Sequence, residues 1–359
     1  MTSLHGLIQC WRWGSTVLVL ALCGCSLAQR SSSTHETTPP AAAFEYESGA
    51  GERYAAAIRN LAQDLVGQAA LYRVSDLSRR SLTHRRLWNI LGPVMDSAAG
   101  LRREEIGRSV QGRPLYAIHF GRGPVRVVLW SQMHGNEPTA TLALVDLLRY
   151  VVENPDDALV RRLGERLTVI AIPMLNPDGA ERNRRENAAG IDINRDARNQ
   201  ASPEARALAL VHARWSPRFG FNLHDQGLRI GADGSTVAIS LLAPPHDPQQ
   251  SDRATFTRAK QIAAIMRTAA DSLVKGRVTR YDDTYNPHAF GDAMQSWGTS
   301  TVLIETGAWE NDSDKEYLRQ VNFALLLTAL DAIATGSYAL ADLHEYESLL
   351  GSRGAANRR

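Results

Sequence analysis

The chain has 359 residues, 44% hydrophobic and 22% charged, with 27 glycines, 15 prolines and a formal net charge of +2. Such values exclude collagen, coiled coil, wholesale disorder and a polytopic membrane protein, and so small a net charge gives no footing for a nucleic-acid partner. The three cysteines, Cys10, Cys23 and Cys25, all lie in the first 25 residues, so any metal held by the rest of the chain must take nitrogen and oxygen ligands.

The N-terminus reads as an address. Residues 1–15 carry Arg12 and no acid, and an apolar run over 16–23 is followed by small residues and a polar stretch. That is the order of a bacterial secretory signal, and the run is far short of the roughly 20 residues a spanning helix needs. Leu22-Cys23-Gly24-Cys25 resembles a lipoprotein signal with Cys25 as the lipidated residue, while Ser26-Leu27-Ala28 offers a competing cut that would release a soluble periplasmic or secreted product, and a non-cleaved anchor is the third reading. We therefore expect a signal peptide over 1–28 and a Ser-, Thr-, Pro- and Ala-rich tether over 29–43.

Residues 44–100 form an expected helical lead-in. Ala56, Ile58, Leu61, Leu65 and Ala69 recur near the helical period, and 87–97 reads as a second short helix. From about residue 106, strands alternate with helices. Strands are predicted at 115–120, 125–130, 167–173, 219–223, 237–242 and 301–305, and helices at 138–152, 203–213, 255–274 and 317–334. Continuous apolar runs such as Val127-Val128-Leu129-Trp130 and Val302-Leu303-Ile304 suit strands covered on both faces. The predicted fold is α/β, a mixed central sheet with helices on both faces, in one domain over 101–338. The tail, 339–359, is expected to be disordered after about Tyr346.

Four of these strands run into polar residues at their C-terminal ends, where open α/β sheets bind ligands. His134 and Glu137 lie in an H-x-x-E turn just before Pro138, where a helix would start, and His224 closes another strand. Two imidazoles and a carboxylate suit Zn²⁺ and leave a position for water. The spacing alone is weak, and an isolated His224 would read as a hydrogen-bonded core histidine. His84, His119, His212, His246, His288 and His344 gain nothing from this pattern and read as structural or solvated.

Taken in order, His134-Gly135-Asn136-Glu137, Asn176-Pro177-Asp178-Gly179, Asp192-Ile193-Asn194-Arg195, Asn222-Leu223-His224 and Ile304-Glu305-Thr306-Gly307 resemble the zinc metallocarboxypeptidases typified by pancreatic carboxypeptidase A. The segment Gly107-Arg108-Ser109-Val110-Gln111-Gly112-Arg113-Pro114 resembles the opening of that catalytic domain, and the resemblance covers about 105–335. It implies one zinc per chain held by His134, Glu137 and His224, with Asp192 fixing the tautomer of His134. It further implies Glu305 as the base that activates a zinc-bound water, and Asn194 with Arg195 as the grip on a peptide's free C-terminal carboxylate. An oxyanion-stabilising arginine is implied in the loop holding Arg182, Arg184 and Arg185, where the count back from Asn194 favours Arg185. A substrate-capping tyrosine is implied some twenty residues before Glu305, where Tyr281 and Tyr285 both occur and Tyr285 is the expected one. Gly298 and the run 289–296 are expected to line the specificity pocket.

The expected activity is hydrolysis of C-terminal peptide bonds, of peptides in general or of peptidoglycan stem peptides, in the periplasm or envelope. Two other readings remain open at this stage. One is an amidohydrolase of the aspartoacylase or succinylglutamate desuccinylase type, which resembles the chain in its H-x-x-E turn. The other is a non-catalytic peptide-binding lipoprotein.

Overall fold

The computed structural model describes residues 49–354 apart from 81, 97–99 and 252. The expected signal peptide, its Cys25 and the tether lie outside the described residues. Within these bounds the chain order is α1 (Ala50–Tyr72), α2 (His84–Asp96), β1 (Leu101–Arg108), β2 (Pro114–Phe120), β3 (Val125–Ser131), α3 (Thr139–Glu153), α4 (Ala158–Arg166), β4 (Leu167–Ile172) and α5 (Pro177–Arg182). There follow α6 (Pro203–Trp215), β5 (Phe219–Asp225), β6 (Arg229–Ile230), β7 (Ile239–Leu242), α7 (Ala254–Val274), β8 (Val278–Arg280), α8 (Phe290–Ser296), β9 (Ser300–Thr306), α9 (Glu316–Thr335), α10 (His344–Glu347) and β10 (Arg353–Gly354).

Eight strands form one mixed sheet in the order β1-β2-β4-β3-β5-β9-β7-β8. Its centre, β4-β3-β5-β9, is parallel, and β2 and β7 join it antiparallel on either side. The expected mixed sheet between two helical layers is what the chain adopts. Alternation along β3 shows how: Val127 and Leu129 pack in the larger core with α1, α3, α7 and α9, while Val128 and Trp130 pack in a second core with α6 and α8. All seven residues of β9 are buried, as a strand covered on both faces requires.

Two strands of this eight-stranded sheet escape the apolar-run criterion. β1 reads Leu-Arg-Arg-Glu-Glu-Ile-Gly-Arg and is a mostly solvated edge, where charge discourages further pairing. β8 is only three residues long. The lead-in is continuous with the body: Ile58, Ala62, Leu65, Ala69 and Tyr72 of α1 belong to the larger core, and Leu87, Leu91 and Met95 of α2 pack with α3 residues Leu142, Val145 and Leu148.

The tail corrects an expectation. Instead of becoming disordered after Tyr346, the chain stays docked through Gly354. Tyr346 is 3% exposed, its hydroxyl accepts from the Ala243 backbone N–H, and Leu349 is buried in the larger core. Leu350 accepts a backbone bond from Arg280, and β10 pairs with β6. Two apolar anchors in an otherwise polar run are enough to hold it.

Candidate metal centre

His134 and Glu137 project from the turn between β3 and α3. That turn is pressed against the start of α5: a Cβ at Gly135 would lie 2.0 Å from the Gly179 carbonyl carbon, so only glycine fits. Asn176 fastens the same turn. Its side-chain Nδ2 donates to Met133 O and to Arg185 O, and its backbone N–H donates to Gln132 O. The Asn176–Gly179 motif thus fixes the metal turn and the arginine loop together. Asp178 completes the brace, accepting from Ser109 Oγ, the Gln111 N–H and Arg113 Nη1. This explains the segment from Gly107 to Pro114 structurally.

His224 lies on β5 and Glu305 on β9, directly paired in the parallel register. The ligand atoms of His134, Glu137 and His224 all lie within 4.8 Å of one another, and all three residues are buried. Glu137 Oε1 is 2.8 Å from His134 Nδ1, and Oε2 is 2.8 Å from His224 Nδ1. The two Nδ1 atoms are 3.2 Å apart. Two imidazole nitrogens and a carboxylate this close are held by a shared cation or by protons. The N₂O donor set and its burial fit one zinc.

Asp192 binds the far side of His134, accepting from Nε2 at 3.1 Å. A proton on Nε2 satisfies that contact, and the neutral ring would then present its Nδ1 lone pair to Glu137 and His224. Asp192 also accepts from Arg185 Nε and from the Asn194 backbone N–H. Burial opposes charge on each of these groups, but their partners win. His134 is raised by its bonds to Asp192 and Glu137. Glu137 and Asp192 are held well below the usual carboxylate range, Glu137 mainly by His224 and Asp192 by His134 with Arg185.

Glu305 is 7% exposed. Burial pushes it up to about 7, with Glu137 and Asp225 reinforcing the rise and His224 opposing it. Of the three loop arginines, Arg185 stands against the group: Nη1 is 3.1 Å from His134 Nδ1 and 3.6 Å from Glu137 Oε1. Arg182 and Arg184 line an open cleft with Glu186, Asn187, Ala188 and Gly190.

Asn194 is buried, and its Oδ1 accepts from the Phe290 N–H at the start of α8. Arg195 is exposed, donates to the Asn194 carbonyl, and draws on Asp292 electrostatically. Asp292 is buried, accepts from the Asn286 N–H, and is pushed up to about 6 by that burial. The run 289–296 is thus brought beside Asn194 and Arg195, but with a buried acid that sequence reading did not single out. Tyr281 is half-buried beside Arg229, and burial and the Glu305 charge raise its hydroxyl. Among the described residues no hydrogen bond brings Tyr285 onto the His134–Glu137–His224 group.

The zinc carboxypeptidase family profile matches residues 100–301. Carboxypeptidase SOL1 of Arabidopsis thaliana is 32% identical over 109 residues, 28% of this chain and 22% of that protein. Human Carboxypeptidase D is 28% identical over 261 residues, 60% of this chain and 18% of that protein. The chain therefore spans about a fifth of the length of these curated relatives. Among solved structures, a metallo-carboxypeptidase from Burkholderia cenocepacia superposes with a TM-score of 0.58 at 19% identity, covering 72% of this chain and 70% of that one. Thrombin activatable fibrinolysis inhibitor gives 0.58 at 14% identity, covering 77% and 80%. These likenesses show the fold, and the profile, which spans more than half of the sequence, shows that this chain belongs to the zinc carboxypeptidase family.

Proposed function

We propose that this chain is an exported zinc metallocarboxypeptidase that hydrolyses the C-terminal peptide bond of peptides. The observation that carries the reading is the buried His134–Glu137–His224 donor set with Glu305 in register beside His224. When bound, zinc would supply Lewis acidity that polarises a carbonyl and lowers the pKa of a water towards about 7. Glu305, with an affinity for protons near neutrality, takes a proton from the attacking water and returns it to the departing amine. Arg185 faces the same space and stabilises the oxyanion that develops on the scissile carbonyl. Asp192 holds His134 in the ligating tautomer.

Arg195, exposed beside the buried Asn194, is assigned to the substrate's terminal carboxylate, which a guanidinium fork matches bidentately. Tyr285 is assigned to capping the bound peptide. Export and a lipid anchor at Cys25 put the enzyme in the envelope, where peptides and peptidoglycan stem peptides are the substrate pools. Arg195→Ala tests the carboxylate grip. KM should rise at least about tenfold for peptides with a free C-terminus and stay nearly unchanged for amidated ones, as expected for loss of a charge-assisted bond. Equal effects on both would contradict the assignment.

A further inference from the structure

The zinc carboxypeptidase profile ends at residue 301 and begins at residue 100, yet two cations from outside that span reach the back of the metal centre. Both meet at Asp225, the residue after His224 and the last of β5. Its Oδ2 accepts from Thr139 Oγ1 at 2.7 Å and from Arg79 Nη2 at 3.3 Å, with Lys315 Nζ at 3.7 Å. Its backbone N–H donates to Glu137 Oε2 at 3.3 Å. Asp225 therefore ties together the first residue of α3, the end of β5 and a metal-ligating carboxylate.

Lys315 adds the third strand end. Its Nζ donates to the carbonyl of Thr306, the neighbour of Glu305, at 2.7 Å, and the Thr306 carbonyl also accepts from the Gln226 N–H. Of three lysines in the chain, this one alone is buried. Arg79 arrives on the loop between α1 and α2, and that loop is itself clamped. Arg319, 1% exposed, pairs bidentately with Asp146 at 2.5 and 2.6 Å and donates to the Leu77 and Val74 carbonyls. The Val74 N–H returns to Asp146 Oδ1. A bidentate buried pair that also binds loop carbonyls fixes a backbone closely.

We infer that Arg79 and Lys315 are positioning residues of the metal centre, acting through Asp225, and that the segment before the family domain is a working part of the site. The inference rests on the metal reading of His134, Glu137 and His224. Three carboxylate side chains, those of Glu137, Asp225 and Glu305, are buried around one group, and a buried acid stripped of a partner is left undercompensated. Loss of either cation should let the His224–Asp225 strand end and the Glu137 carboxylate move from their shared geometry. Outer partners of metal ligands are typically worth about 10- to 100-fold in metal affinity.

The test uses the full chain and reads zinc affinity by competition with a chromophoric chelator, so it does not depend on turnover. Arg79→Met should bind zinc at least about 10-fold more weakly than the native chain, with Arg79→Lys recovering most of the loss. Arg80→Ala, which removes an exposed pair with Asp314 on the same loop, should bind zinc like the native chain. Lys315→Met should reproduce the loss, and it decides the matter if Arg79→Met does not fold. Native affinity in Arg79→Met or Lys315→Met would overturn the inference, as would a loss in Arg80→Ala equal to that of Arg79→Met. A native chain that binds no zinc would instead refute the metal reading itself.

Discussion

Glu305 concentrates the residue-scale chemistry. A carboxylate at the end of a fully buried strand is costly unless it has work to do, and its proton affinity near neutrality is what a general base requires. Glu305→Gln keeps the shape and removes the proposed base. Zinc content should stay near one per chain while kcat falls by about 10²- to 10⁴-fold, the usual worth of a positioned base; metal analysis beside steady-state kinetics checks it, and undiminished turnover would remove Glu305 from the mechanism. Asp292 gives a pH-dependent expectation. Its carboxyl is raised to about 6, above its ordinary value, so the folded chain holds the proton more tightly than the unfolded one. That contribution is fully present below about pH 4 and is lost as pH rises through about 6. At pH 7 the ionised group should burden the fold by about 2–3 kcal/mol. Asp292→Asn keeps an acceptor for the Asn286 N–H and should raise Tm at pH 7, with the gain vanishing near pH 4. Calorimetry at the two pH values decides it, and an equal gain at both would be the contrary result.

At the scale of elements, the metal turn is only as good as the backbone it leans on. Gly135 meets the Gly179 carbonyl carbon so closely that any side chain must push the β3–α3 turn away from α5. Gly135→Ala should cost about 3 kcal/mol, the upper end for forced overpacking, and weaken zinc binding with it. Denaturant unfolding of the zinc-free chain separates the stability loss from the metal loss, and a native-like midpoint would show that the turn is looser than its contacts indicate. The same scale shows what sequence reading recovers. The apolar runs that became β3, β5 and β9 are legible because both faces are covered. The charged edge β1 is not, because its pairing with β2 is a tertiary fact invisible to an apolar pattern. α4 is short and charged, and its start depends on the Asp157 side chain accepting from the Leu159 and Val160 N–H groups.

The whole molecule brings together what no local window contains. His134 and Glu137 are legible as a local spacing, and His224 and Glu305 as polar residues ending apolar strands. The arrangement of Asp192 behind His134 follows once the resemblance is recognised. Arg79, Lys315 and Asp292 carry no such signal. An arginine in a chain whose basic residues are nearly all arginine says nothing by itself, and its meeting with Asp225 spans 146 residues of sequence. The tail is read as loose because its anchors, Tyr346 and Leu349, are only two residues in a polar run. The central claim, that one ion held by three converging side chains drives peptide hydrolysis, has a direct test. Release of the free C-terminal amino acid from a blocked dipeptide is followed as zinc is added back to the chelator-stripped full chain. Release should start near zero, rise in proportion to added zinc and level off at about one equivalent per chain, as a single catalytic site requires. Release that is unaffected by stripping, or that never appears at any zinc level, would contradict it.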